Sequence, residues 1–352
     1  MTTVFNYNET FTLESGESLP GFHLAYTTHG KLNAAKNNVV WIFHALTANS
    51  NPAEWWPGLV GDGKFFDPAK HFIICVNKPG SPYGSISPLS INPQTNKSYY
   101  HDFPFFTIND MVRAYQKLKD HLGIQKVFIG MGGSTGGMQL LEWAIEEPSL
   151  FENIIPIATS AVLSPWAIAF NASQRMAIEA DHTWLEQRND AGQKGLSAAR
   201  SIALLSYRYY NGYDITQPRD KAYVSLSKEV AFAADNYQRY QGLKLVNRFN
   251  VISYYRLTQS MDSHDVGRSR GGILNALKKI TAKTLAIGIK SDVLYPINEQ
   301  EYLKENISGA QLLSIASDYG HDGFLLEYEK IEAALKLFIE EKSSNHLKVV
   351  NQ

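Results

Sequence analysis

Short apolar runs alternate along this chain with longer segments in which apolar residues recur every three or four positions. Val39–Phe43, Phe72–Val76 and residues 126–130 are too short for helices and rich in β-branched or aromatic side chains. Each therefore reads as a strand buried on both faces. Between the last two, residues 107–118 carry apolar side chains at helical spacing, and Thr107 followed by Asp110 resembles a capping box. Residues 138–145 read as a helix that stops before Pro148, and residues 154–158 resume the strand pattern. Strand, helix and strand in alternation predict a mostly parallel central sheet flanked by helices.

From Ser164 to Lys279 the strand pattern gives way to helical, tyrosine-rich sequence, including residues 198–210 and 235–257. Alternation returns with a strand at 284–289, a helix near 299–305, a strand at Gln311–Ile315 and a closing helix at 324–340. The expected organisation is one core built from residues 1–163 and 280–352, with residues 164–279 inserted as a helical cap. No internal repeat or low-complexity tract interrupts it, and only the last few residues are expected to fray.

Composition narrows the partners. The 352 residues carry a formal net charge of -1, with Lys+Arg 33 against Asp+Glu 34. That balance offers no concentrated basic surface for nucleic acid or an anionic membrane, so a small-molecule partner is expected. The single cysteine, Cys75, lies inside an apolar run and reads as core; it excludes an internal disulfide and a thiolate zinc cluster. The first residues lack a basic and an apolar signal region, and no apolar run reaches the ~20 residues that span a bilayer. A soluble, cytoplasmic protein is expected.

The densest chemical signal is the glycine-rich turn at residues 130–137. A phosphate loop would need Lys then Ser or Thr after Gly137, where Met138 and Gln139 stand. A dinucleotide fingerprint starting at Gly130 meets Thr135 where its third glycine belongs, and it lies deep in the chain. The turn instead satisfies Gly-x-Ser-x-Gly with Gly132, Ser134 and Gly136, between a strand and a helix. This pattern predicts the α/β-hydrolase fold with Ser134 as nucleophile. A serine hydroxyl needs a base, and the base an orienting acid. On this fold both follow later strands, in the order acid then base. Asp292 after the strand at 284–289 and His321 after the strand ending at Ile315 fit those places. His44 and His264 compete for the base, but His44 precedes the nucleophile and His264 lies in the expected cap. By position, the backbone N–H groups of Leu46 and Thr135 are the candidate oxyanion donors.

Several separated segments resemble the homoserine O-acetyltransferase family, over a match from about His44 to Glu327. They are residues 44–47 (His-Ala-Leu-Thr), 132–144, 174–181 (Gln-Arg-Met-Ala-Ile-Glu-Ala-Asp), 261–268 (Met-Asp-Ser-His-Asp-Val-Gly-Arg) and 320–322 (Gly-His-Asp). The resemblance implies ping-pong transfer of an acetyl group from acetyl-CoA, through an acyl-serine, to the hydroxyl of L-homoserine for methionine synthesis. It implies Ser134, Asp292 and His321 as the triad, and Arg200, Tyr207 and Asp322 as the amino-acid site. Arg200 and Tyr207 lie on one helical face two turns apart; an arginine fork suits an α-carboxylate, and Asp322 an α-ammonium. The scaffold's other chemistries are serine O-acetylation, O-succinyl transfer and carboxylester hydrolysis. No metal and no permanently bound cofactor is implied; acetyl-CoA enters as a substrate, and Arg268 and Arg270 are the basic candidates for holding it. A homodimer joined through the cap is a family expectation. Members of the family usually carry methionine directly after the nucleophile, where Thr135 stands here.

Overall fold

The computed structural model describes residues 2–219, 222–224 and 230–340. Eight strands form its main sheet: β1 (Thr2–Tyr7), β2 (Phe22–His29), β3 (Val39–Phe43), β4 (Phe72–Val76), β5 (Val127–Gly133), β6 (Phe151–Ile157), β7 (Lys283–Ile289) and β8 (Gln311–Ile315). Their spatial order is β1-β2-β4-β3-β5-β6-β7-β8. The two strands at the N-terminal edge pair antiparallel, and β4, β3 and β5 to β8 run parallel. β1 and β2 were not anticipated from the pattern. β1 lies at the sheet's edge with most of its side chains exposed, so it carries no apolar run to announce it.

The interior strands are buried on both faces, as their unbroken apolar sequence requires. Along β3, Trp41 and Phe43 enter one core cluster while Val40 and Ile42 enter the other, on the opposite face. Cys75 of β4 is fully buried in the second cluster. The first face is covered by α1 (Ile108–His121) and α2 (Thr135–Glu146). There Trp143 meets Trp41 edge to face at 4.8 Å, and the Tyr115 hydroxyl donates to Gln139 at 2.8 Å. The capping box at the start of α1 is formed: Thr107 Oγ1 accepts from the Asp110 N–H, and the Asp110 carboxylate accepts from the Thr107 N–H at 3.0 Å.

Between β6 and β7 lie α3 (Pro165–Glu179), α4 (Gln193–Tyr207), α5 (Tyr210–Thr216), α6 (Ala233–Val246), α7 (Val251–Asp262) and α8 (Ile273–Leu277). A short antiparallel pair, Ala222–Val224 with Val230–Phe232, is the strand pairing described inside this segment. The helix read over 235–257 is two helices, because the Asn250 side chain accepts the Ser253 N–H at 2.9 Å and starts α7 afresh. α9 (Ile297–Asn306) follows β7. The closing helix is likewise split, into a single turn at Gly323–Leu326 and α10 (Tyr328–Glu340). Among the described residues, no helix is long and apolar enough to cross a membrane.

β5 runs through Gly133, past the Gly130 end that the pattern suggested, because Gly132 and Gly133 still pair with Pro156 and Ile157 of β6. The chain then reverses at Ser134 into α2. Two glycines permit this: a Cβ on Gly132 would lie 2.5 Å from the Gly136 carbonyl, and one on Gly136 would lie 2.2 Å from the Phe43 carbonyl oxygen. Both obstacles are backbone and cannot rotate away. Gly136→Ala is therefore expected to destabilise the protein by about 1–3 kcal/mol through overpacking. An unchanged urea midpoint would contradict this account of the turn.

Candidate active site

Ser134 sits at the tip of this turn with φ 55 and ψ -125, a backbone region that L residues rarely occupy. The surrounding bonds hold it there. Its N–H donates to the Ile157 carbonyl at 2.9 Å, and its own carbonyl accepts from the Thr159 hydroxyl at 2.9 Å and the Gly137 N–H at 2.9 Å. The strain, of order 1–3 kcal/mol, is thus offset by links to β6 and to the start of α2. The side chain faces a cavity of about 690 Å³.

Asp292 and His321 come from loops after β7 and β8 and meet at the same place. His321 Nδ1 lies 2.6 Å from Asp292 Oδ2. The other carboxylate oxygen of Asp292 accepts the N–H groups of Leu294 at 2.8 Å and Tyr295 at 2.9 Å. Both side chains are almost wholly buried. An Nδ1–H donated to the carboxylate leaves Nε2 as the basic nitrogen. The imidazole is boxed by rings: Phe324, Tyr295 and Tyr207 have centroids at 5.2, 5.3 and 5.6 Å. Burial holds the phenols of Tyr207 and Tyr295 above their ordinary range, so both stay neutral beside the base. His321 lines the cavity with Ser134, which equips an alcohol, a base and an orienting acid for nucleophilic attack on an acyl group.

Neither competing histidine reaches this position. His44 uses Nδ1 on the Ala45 carbonyl at 2.8 Å and accepts the Lys78 N–H on Nε2 at 3.3 Å. Burial, with Lys78 nearby, holds it well below the usual imidazole range, so it is a neutral structural group. His264 is buried on the Ser160 carbonyl at 2.9 Å, and neither it nor His44 lines the cavity.

Leu46 and Ser134 both line the cavity, with Thr135 next to Ser134 at the first position of α2. An N–H at the start of a helix has no intrahelical partner. That of Leu46 makes no backbone bond among the described residues. The cavity also gathers Arg200, Tyr207 and Asp322, with the Arg200 guanidinium 5.4 Å above the Tyr207 ring. Arg200 has no carboxylate partner among the described residues, whereas Asp322 is ion-paired to Arg208, which also donates to the Tyr237 hydroxyl at 3.0 Å. A larger depression, about 790 Å³, adjoins Arg208 and is lined by Tyr213, Ile215 and Lys330. It holds none of Ser134, Asp292 and His321, so chemistry rather than size selects the site.

The basic candidates for the acyl donor need correction. Arg268 pairs with Glu14 at 2.8 Å and Arg270 with Glu142 and Glu146; neither lines the cavity. Lys244 and Arg248 line it instead, with Arg248 donating to the Thr47 carbonyl at 2.6 Å and the Tyr83 hydroxyl at 2.7 Å. Lys244 lies in the last turn of α6 and Arg248 in the turn just beyond its Asn247 cap, and sequence reasoning passed over both.

A family model for the alpha/beta hydrolase fold matches residues 38–328. A homoserine O-acetyltransferase of Cyclobacterium marinum is 48% identical over 95% of this chain and 94% of its own length. The chain belongs to the homoserine O-acetyltransferase family. A second member, from Chloroherpeton thalassium, is 42% identical over 96% of this chain and 89% of its own. The crystal structure of homoserine O-acetyltransferase from Bacillus anthracis superimposes with a TM-score of 0.88 at 25% identity, covering 98% of this chain and 99% of that one.

The Asp292–His321 bond is expected to matter through orientation rather than packing. Asp292→Asn should slow reaction of Ser134 with an activated ester on the order of 10³–10⁴-fold while the fold persists. Stopped-flow acylation with circular dichroism checks this, and a rate within tenfold of the parent would contradict it.

Proposed function

We propose that this chain transfers the acetyl group of acetyl-CoA, through an acetyl-Ser134 intermediate, to the side-chain hydroxyl of L-homoserine. The observation that carries the reading is the convergence of Ser134, the Asp292–His321 pair, Arg200, Tyr207 and Asp322 on one cavity. Relatives named homoserine O-acetyltransferase at 48% and 42% identity support the choice of acyl group and acceptor.

In the first half-reaction Ser134 Oγ attacks the thioester carbonyl while His321 Nε2 takes its proton. The Oγ–C bond forms, the C–S bond breaks, and His321 returns the proton to the departing thiolate as free CoA. The N–H groups of Leu46 and Thr135 receive the negative charge that builds on the carbonyl oxygen. In the second half the homoserine hydroxyl gives its proton to His321 and attacks the acyl carbon. The C–Oγ bond breaks and the proton passes to Ser134, leaving O-acetyl-L-homoserine.

Arg200 holds the acceptor's α-carboxylate, since its guanidinium is free of any carboxylate among the described residues. Asp322, one residue from the base, faces the α-ammonium, with Arg208 fixing its carboxylate. Lys244 and Arg248 at the cavity favour the phosphates of CoA. The working form is a cytoplasmic homodimer by family resemblance, and the exposed apolar residues Leu205, Tyr210, Ile215 and Leu243 on the helices after β6 support an interface there.

The test is steady-state release of CoA from acetyl-CoA with L-homoserine, with L-serine, or with neither. Release is expected to require L-homoserine, and Arg200→Ala to raise its KM about tenfold or more by loss of a charge-assisted contact. Release that never depends on an amino acid would make the protein a thioester hydrolase and end the proposal.

A further inference from the structure

Lys78 is 1% exposed, a rare position for an ammonium. Such burial is costly unless hydrogen bonds replace the lost water. Its Nζ makes three: to the His44 carbonyl at 2.9 Å, the Ala45 carbonyl at 3.2 Å and the Thr135 hydroxyl at 3.1 Å. Its backbone N–H adds a fourth contact, to His44 Nε2 at 3.3 Å. No carboxylate pairs with it among the described residues. The partners belong to two separate pieces of chain. His44 and Ala45 lead from β3 into Leu46, and Thr135 follows Ser134 at the start of α2. Those pieces bear the two N–H groups assigned above to the oxyanion.

The geometry points to Lys78 as the positioning residue of the oxyanion site, its ammonium tying the segments that carry the Leu46 and Thr135 donors into one frame. The ammonium bridges the His44 carbonyl and the Ala45 carbonyl, which accepts also from His44 Nδ1 at 2.8 Å and the Ala48 N–H at 3.3 Å, and so holds the peptides on either side of Ala45. The Thr135 hydroxyl supplies the third acceptor and joins the nucleophile turn to that frame. A positive charge walled in beneath the donors also favours the negative charge that develops above them.

The same burial makes the frame sensitive to alkali. It pulls the Lys78 ammonium down to about 7, so the third donor hydrogen and the charge are lost as pH rises through that value. The titratable groups facing it are His44, held well below the usual range, and Cys75 of β4, whose thiol burial pushes far up; neither changes charge over the same interval. Thr135, from α2, does not titrate.

This inference rests on the reading of Ser134 as nucleophile, and the experiment separates the two. The probe is p-nitrophenyl acetate, and the readout is the pre-steady-state burst of p-nitrophenol as Ser134 is acylated. Lys78→Met keeps the length of the stem and removes the donors. The burst rate is expected to fall about 10–100-fold, below the loss of an oxyanion donor itself, with KM for the ester within about twofold. The alkaline limb of the parent's burst rate should vanish in this variant. The double variant Lys78→Met with Thr135→Met should remain as slow, since the ammonium's bridge between the His44 and Ala45 carbonyls is still missing. Return of the parental rate in the double variant would overturn the proposal, because Lys78 would then merely satisfy a buried hydroxyl. Should Lys78→Met not fold, the parent decides: a burst rate that does not decline between about pH 7 and pH 9 also overturns it. A parent with no burst at all would instead overturn the reading of Ser134.

Discussion

Close packing of three backbones around Ser134 is the constraint on which the site depends. β5, α2 and the end of β3 approach so tightly that a Cβ at Gly132 or Gly136 would overlap main-chain atoms. In that space the chain can reverse only by placing Ser134 at positive φ, which presents its side chain to the cavity and the first N–H groups of α2 beside it. The contact between Gly136 and the Phe43 carbonyl also determines where the segment after β3 begins. Leu46 follows three residues after that contact.

Order of strands does the rest. In a parallel sheet the loops after successive strands emerge at one edge, so loops after β5, β7 and β8 share a rim although Ser134, Asp292 and His321 are far apart in sequence. The helices after β6 close over that rim and contribute Arg200 and Tyr207, both on α4. Three aromatic rings pack around His321, and the Asp292 carboxylate spends its second oxygen on two backbone N–H groups. Such a site distinguishes transfer from hydrolysis by what it positions: an alcohol held beside the base competes with water for the acyl group.

Much of this was legible in the sequence because it follows from periodicity. β3, β4 and β8 are bounded as their apolar runs suggested, and the capping box at Thr107 formed as read. Ser134, Asp292 and His321 stood out because each is a short polar interruption just after a strand. What escaped notice depends on tertiary contact. β1 and β2 lie toward the exposed edge and carry weaker patterns. Asn250 split a helix through a side-chain cap within a continuous apolar rhythm. Arg268 and Arg270 were attractive only until their carboxylate partners from distant segments were seen. Lys78 gave no sign, because a lysine following an apolar strand reads as the first solvated residue of a loop. Its burial is a property of the fold around it.

The central claim is that an acetyl group resides on Ser134 and leaves it for an amino-acid hydroxyl. The most direct measurement mixes the protein with acetyl-CoA, removes the nucleotide, locates the acetyl group by peptide mass spectrometry, and then adds L-homoserine. Acetyl is expected on the peptide containing Ser134, stable in buffer and discharged by L-homoserine with matching formation of O-acetyl-L-homoserine. Acetyl on another residue, or an acetyl-Ser134 that L-homoserine does not discharge, would contradict it.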